Sequence, residues 1–219
     1  RLAGLNPSGV ICEIMNEDGT MSRLDDLVGF AQLHNLKIGT IRDLIAYRMR
    51  HDHLVAKVAE VEIDSEHGGR WTAMTYANTA EYAEHLVLQK GRIEPGKPTL
   101  VRVHSVNAFA DLFAETGGRA GLIRRAMDLI AEEGAGVLIL IRDSRADGLS
   151  QQMKARGLGD YSHVRELGVG SQILVDLGVN EMELLTTGHR AYVGLEGYGL
   201  KVTGERQLSG YGPAERPLN

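Results

Sequence analysis

The sequence predicts an α/β fold, and three observations carry that prediction. Residues 54–91 alternate in the manner of paired strands, Gly136–Ile141 is an unbroken apolar run of strand length, and segments of helical period separate the strands after residue 118. An antiparallel β-part is therefore expected first. A βαβαβ succession should follow, which favours a parallel sheet covered by helices.

The elements follow in order. Val10–Glu13 has the composition of a short buried strand, and Asn16-Glu17-Asp18-Gly19 supplies a turn after it. Ser22 is placed to cap a helix, with Asp25 three residues on. Leu24, Leu27, Val28 and Ala31 share a face of that helix, and Asn35 ends it. Thr40 caps a second helix, Asp43 completes the capping pattern, and Ile41, Leu44 and Ile45 lie on one face. The charged stretch Arg48–His53 reads as the end of that helix and a domain boundary. Val55, Val58 and Val61 lead into a turn at His67-Gly68-Gly69, and Trp71–Tyr76 is the return strand. His85–Leu88 and Leu100–Val103 are further strands, assigned to the antiparallel part. Leu122, Ile123, Ala126 and Ile130 mark a helix stopped by Gly134. Gly136–Ile141 is a buried strand, and a helix near Val169–Leu177 ends at Gly178. Met182–Leu185 is a strand, Ala191–Leu195 a short helix, and Leu200–Val202 a last strand. The Gly- and Pro-rich tail is expected to be flexible.

Composition narrows the function. The 219 residues carry a formal net charge of -5 and no basic cluster, which argues against a nucleic-acid or membrane-surface binder. No apolar run approaches the roughly 20 residues of a membrane-spanning helix. The chain begins Arg1-Leu2-Ala3-Gly4, without Met or the layout of a signal peptide, an abrupt start that leaves open whether it is a fragment or complete; a soluble, cytoplasmic protein is the plain reading. The single cysteine, Cys12, excludes an internal disulfide and a multi-cysteine metal site. With no histidine near it in sequence, Cys12 reads as a core-packed thiol. His51 and His53 lack a third ligand nearby and read as solvated. The 27 glycines include no Walker or dinucleotide fingerprint; Gly117-Gly118 and Gly168-Val169-Gly170 read as turn or helix-approach positions.

Two groups of motifs resemble known families. Pro7-Ser8-Gly9-Val10-Ile11-Cys12-Glu13-Ile14-Met15-Asn16-Glu17-Asp18-Gly19-Thr20-Met21, continued by Ile38–Arg48, is similar to the end of 3,4-dihydroxy-2-butanone 4-phosphate synthase. Val101-Arg102-Val103-His104-Ser105, Ile130-Ala131-Glu132-Glu133-Gly134 and Val193–Leu200 resemble GTP cyclohydrolase II. The order is that of the bifunctional riboflavin-biosynthesis fusion. The resemblance implies three regions: 1–50 the α/β tail of a synthase domain, 51–209 a cyclohydrolase II-like domain, and 210–219 a flexible tail.

By the same resemblance, Glu13 stands where the synthase family places a substrate-contacting carboxylate. The reaction it serves rearranges ribulose 5-phosphate with magnesium and releases formate. The further acids and the metal-binding histidine of that family lie upstream of this sequence. The cyclohydrolase family opens the guanine ring with a zinc-bound water, held by three cysteines spaced Cys-x10-Cys-x-Cys directly after Arg-Val-His-Ser. Here Val106–Arg119 contains neither cysteine nor histidine. The nucleotide loop of the family appears as Asp143–Leu149 without its guanine-reading Glu. The chain is about 20 residues short between Met153 and Val164. The family's Asp-x-Arg reads His163-Val164-Arg165, its threonine is Thr186, and the lysine expected five residues later is Ala191, beside Arg190.

The expected function is therefore that of the synthase within a longer protein. The cyclohydrolase-like domain is expected to be inactive, to hold no zinc, and to serve assembly or regulation. The alternative is a hydrolase still active on GTP or a related nucleotide. Arg102, His104, Ser105, Arg165 and Thr186 are the candidate residual nucleotide- or phosphate-binding residues. Their blander reading is inherited scaffold, held by structural hydrogen bonds. A homodimer, contact with the upstream synthase domain and a small phosphorylated ligand are the expected partners.

Overall fold

The computed structural model describes residues 4–51, 54–79, 82–115, 119–154, 163–188 and 195–209. The chain divides into two units, Arg1–Leu44 and Ile45–Asn219. That division falls inside the second helix.

In the first unit, helix α1 (Leu24–Leu33) begins one residue later than its motif suggests. The Ser22 hydroxyl is spent on Asn16 Oδ1 at 2.8 Å, so it does not cap. Instead the Asp26 carboxylate accepts from the Arg23 backbone N–H at 2.9 Å. Asn35, in the left-handed region at φ 52°, follows the helix end. Asn16–Gly19 forms the expected turn: the Gly19 N–H donates to the Asn16 carbonyl, and a single bridge joins Met15 to Met21. Val10–Glu13 is not a strand. It belongs to no regular element, with Val10 and Ile11 each 97% exposed, and Cys12 is exposed rather than core-packed. A strand needs a neighbour's ladder of hydrogen bonds, and among the described residues this unit offers no ladder beyond that bridge. Helix α2 (Ile41–His51) starts as expected, with Thr40 Oγ1 accepting from the Asp43 N–H at 3.1 Å.

The second unit is built on one seven-stranded sheet, ordered β1-β2-β3-β5-β4-β6-β7. Its strands are β1 (Val55–Ser65), β2 (Gly69–Asn78), β3 (Ala83–Lys90), β4 (Thr99–Ser105), β5 (Gly136–Ile141), β6 (Glu181–Thr186) and β7 (Lys201–Gln207). The first three form an antiparallel meander, as their alternation predicts. The β1–β2 turn needs glycine: Gly68 has φ +82°, and a Cβ there would lie 2.5 Å from Ala131 Cβ. The two predicted parts are fused, because β3 pairs antiparallel with β5. β4 departs from its assignment. It runs parallel between β5 and β6, with Leu100 and Val101 both buried. A strand covered on both faces belongs to a parallel arrangement, whose crossovers put helices on each side.

Those helices are α4 (Leu122–Glu133) and α6 (His163–Asp176). Leu122, Ala126 and Ile130 of α4 pack with Trp71, Leu88, Leu100 and Leu138 on one face of the sheet. Ile173 and Leu174 of α6 pack with Val87, Val101, Val137, Ile139 and Met182 on the other. Alternate residues of β5 thus feed opposite cores, which is why its sequence is apolar throughout. Gly134, at φ 80°, ends α4 as expected. Helix α6 reaches back to His163, well before Val169. Two short helices carry no amphipathic stripe long enough to announce them, α3 (Ala108–Leu112) and α5 (Gly148–Lys154). Of the predicted helix Ala191–Leu195 only Leu195 lies among the described residues, where it opens a 3-10 turn, Leu195–Tyr198. The tail 210–219 lies outside them. No helix among the described residues is long and apolar enough to cross a membrane.

Candidate functional site

The carboxyl ends of β4 and β5 lie side by side, and their connections leave toward opposite faces: β4 leads to α4, β5 to α5 and α6. Such a switch point opens the crevice in which α/β sheets bind ligands. Here the two strand ends and α5 are tied by hydrogen bonds. The Val106 N–H donates to the Ile141 carbonyl at 3.0 Å, joining the two strand ends. Gln152 of α5 then donates from Nε2 to the Val106 carbonyl at 3.1 Å and accepts from the Ala108 N–H at 3.4 Å.

The segment after Ser105 becomes helix α3. Asn107 Oδ1 accepts from the N–H groups of Phe109 and Ala110, both at 3.1 Å, an N-cap that starts the helix. One turn on, Asp111 turns inward. Both of its oxygens lie 3.0 Å from His104 Nε2, and Oδ2 also accepts from the Asn107 N–H at 2.7 Å. Both side chains are buried, at 0% and 4% exposure. His104 Nδ1 faces Arg102 Nη2 at 3.5 Å. A guanidinium only donates, so a neutral His104 carries its proton on Nε2 and gives it to Asp111. Arg102 Nη1 donates to the Leu185 carbonyl at 2.9 Å.

The predicted site residues fall as follows. Arg102, His104 and Ser105 lie along β4, and Thr186 ends the neighbouring β6. Arg102 and His104 are held by internal partners, and the Ser105 carbonyl accepts from Arg119 Nη2 at 3.2 Å. The Thr186 hydroxyl is buried in its own turn, donating to the Gly188 carbonyl and accepting from the Gly188 N–H. Arg165 belongs to α6, but its side chain, like all of Arg190 and Ala191, lies outside the described residues. The same holds for the side chain of His51 and for His53. Glu13 is exposed in the first unit. In the Asp143–Leu149 loop, Arg145 grips Asp143 through Nε and Nη2 at 3.0 and 2.7 Å, which holds the Asp143 carboxyl below its ordinary range. Asp111 and Gln152 were not expected from sequence. The signal for Asp111 is an acid one helical turn beyond a capping Asn107; Gln152 has none.

These residues do not fit the zinc of a cyclohydrolase. Residues 106–115 provide no thiolate and no imidazole, and Asp111 commits both oxygens to His104. Among the described residues no group of three or more His, Cys, Asp or Glu is placed to hold a metal, in either unit.

Comparison with known proteins places these observations. The GTP cyclohydrolase II family profile matches residues 56–207, and that of 3,4-dihydroxy-2-butanone 4-phosphate synthase matches residues 1–47. The chain is 40% identical to the riboflavin biosynthesis protein RibBA of Bacillus mycoides, over 93% of this chain and 55% of that protein. It is 39% identical to a 3,4-dihydroxy-2-butanone 4-phosphate synthase of Photobacterium phosphoreum, over 92% of this chain and 57% of that one. The crystal structure of RibBX, a two-domain 3,4-dihydroxy-2-butanone 4-phosphate synthase from A. baumannii, is similar with a TM-score of 0.52 and 36% identity. That match covers 94% of this chain and 56% of the other. The chain thus spans about half the length of the relatives it matches.

Proposed function

We propose, from the premise that the chain belongs to the GTP cyclohydrolase II family and carries a synthase-like segment before it, that it serves riboflavin biosynthesis without turning over GTP. In this reading it is part of a protein whose synthase domain converts ribulose 5-phosphate to 3,4-dihydroxy-2-butanone 4-phosphate and formate. The cyclohydrolase-like domain contributes assembly, as a homodimer, or regulation through a small phosphorylated ligand.

The observation that carries the reading is the His104–Asp111 pair. Where a cyclohydrolase needs metal-binding thiolates, this chain has a capped helix whose carboxylate is anchored on a buried histidine. Gln152 ties α5 to the segment that follows β4, at the carboxyl end of the sheet. Without a metal-activated nucleophile, hydrolysis near neutral pH loses its attacking hydroxide. RibBX, a solved relative matched over 94% of this chain, is a two-domain synthase, which agrees with this division of labour.

Metal analysis and a GTP assay on the purified chain test the reading. No stoichiometric zinc and no turnover are expected; zinc at one per chain together with GTP turnover would overturn it and favour the hydrolase alternative. In the longer protein, deleting residues 54–219 separates the two roles. Assembly predicts a weaker dimer or lower synthase activity. Regulation predicts that a nucleotide or sugar phosphate raises the melting temperature and that Arg165→Ala abolishes the rise.

A further inference from the structure

His85 lies on β3 with 3% of its surface exposed. Its Nδ1 accepts a hydrogen bond from the Arg142 backbone N–H at 3.2 Å. An acceptor Nδ1 places the proton of the neutral ring on Nε2, and that atom is buried without a hydrogen-bond partner among the described residues. The bond joins the start of β3 to the first residue after β5, where the Asp143–Leu149 loop begins. On its other side His85 stands directly opposite Tyr76 of β2.

The charge beside the ring opposes a second proton. Arg142 brings a positive charge, and burial together with that charge pushes the His85 pKa below its ordinary value. Tyr76 donates its hydroxyl to Asp176 of α6 at 2.6 Å, so that carboxylate is already engaged. Glu84, the preceding residue on β3, accepts from the Tyr82 hydroxyl at 2.8 Å. Among the described residues no carboxylate is paired with the His85 ring.

We propose that His85 is a proton-operated latch on the loop that follows β5. While the ring is neutral, Nδ1 holds the Arg142 N–H and the loop is anchored to β3. When Nδ1 takes a proton, two N–H donors face each other across 3.2 Å, the bond is lost, and a cation is left in a buried site. The loop then detaches from the sheet. The direction follows from linkage: a histidine with a depressed folded pKa stabilises the closed form fully above the unfolded value near 6.5, and loses that contribution as pH falls through the folded pKa. The latch does not depend on whether the domain processes a nucleotide.

Amide hydrogen exchange and histidine nitrogen chemical shifts on the labelled 219-residue chain test it between pH 7.5 and 5. The shifts should show His85 protonated on Nε2 alone at pH 7.5. The protection factor of the Arg142 amide should fall, by up to about tenfold per pH unit, as pH drops below the ordinary histidine value of 6.5 toward the lowered folded one. His85→Asn keeps an acceptor near the Nδ1 position but cannot titrate, so its Arg142 protection should be flat with pH. His85→Phe removes the acceptor and should leave that amide poorly protected throughout. An Nδ1–H tautomer at pH 7.5, Arg142 protection in the unaltered chain that ignores pH, or the same decline in His85→Asn would each overturn the latch. The measurements on the unaltered chain decide the matter even if the variants fail to fold.

Discussion

Asp111 meets His104 with both carboxylate oxygens 3.0 Å from Nε2, in a pocket that leaves neither side chain more than 4% exposed. This contact is a structural tie between β4 and α3. Removing one member of a buried, hydrogen-bonded pair strands the other. Asp111→Ala should therefore lower unfolding free energy by about 3 kcal/mol. Asp111→Asn, which retains an acceptor for the Nε2–H, should cost less. Urea unfolding followed by the fluorescence of Trp71, the single tryptophan, measures both. Equal stability of Asp111→Ala and the unaltered chain would remove the structural role assigned to the pair.

Tyr76 should contribute to the loss of stability at alkaline pH. Burial, then the bond to Asp176, raises its pKa well above the ordinary 10.0. A group raised on folding contributes stability that is complete below the unfolded pKa and is lost as pH rises through the folded one. Stability should accordingly decline from about pH 10 upward, because unfolding releases a proton. Tyr76→Phe should flatten that decline while lowering stability at neutral pH, where Asp176 loses its donor. Denaturant titrations at several alkaline pH values would reveal the change of slope.

Gly136 opens β5 at a point of close approach. A Cβ there would lie 2.6 Å from the Leu100 carbonyl and 2.9 Å from Ile130 Cγ2. Gly136→Ala should destabilise by about 2 kcal/mol, since the sheet backbone and α4 must both shift. Gly204 in β7 makes a useful contrast, because its Cβ would meet Glu183 Cγ at an ordinary 3.6 Å. Gly204→Ala should change stability by no more than roughly 0.5 kcal/mol. Thermal melts of the two variants, measured side by side, check the difference.

Glu13 is exposed in this chain, so Glu13→Ala should leave its folding untouched. In a longer protein of the kind proposed, the same substitution should abolish formate release from ribulose 5-phosphate. The chain of 219 residues alone should release none. Formate from either preparation would show that the carboxylate is wrongly assigned or that the segment suffices by itself.

Local rules made much of the fold legible. Thr40 caps α2, Gly134 ends α4, and the apolar run Gly136–Ile141 is a buried strand, because each feature depends on side chains within a few residues of one another. The meander of β1 to β3 was readable for the same reason: alternation and a glycine turn are nearest-neighbour properties. The absence of thiolates after Ser105 was visible directly in composition. Pairing was not. Leu100–Val103 reads as a strand in any sheet, and only the crossover through α4 made it a parallel, central one. Val10–Glu13 has strand composition yet forms none, since a strand is completed by another segment's hydrogen bonds. The inward turn of Asp111, the Gln152 bridge and the His85–Arg142 bond were decided by tertiary structure, for they join residues 7, 46 and 57 positions apart through burial. Propensity can name the residues at such contacts, but packing alone determines that they meet.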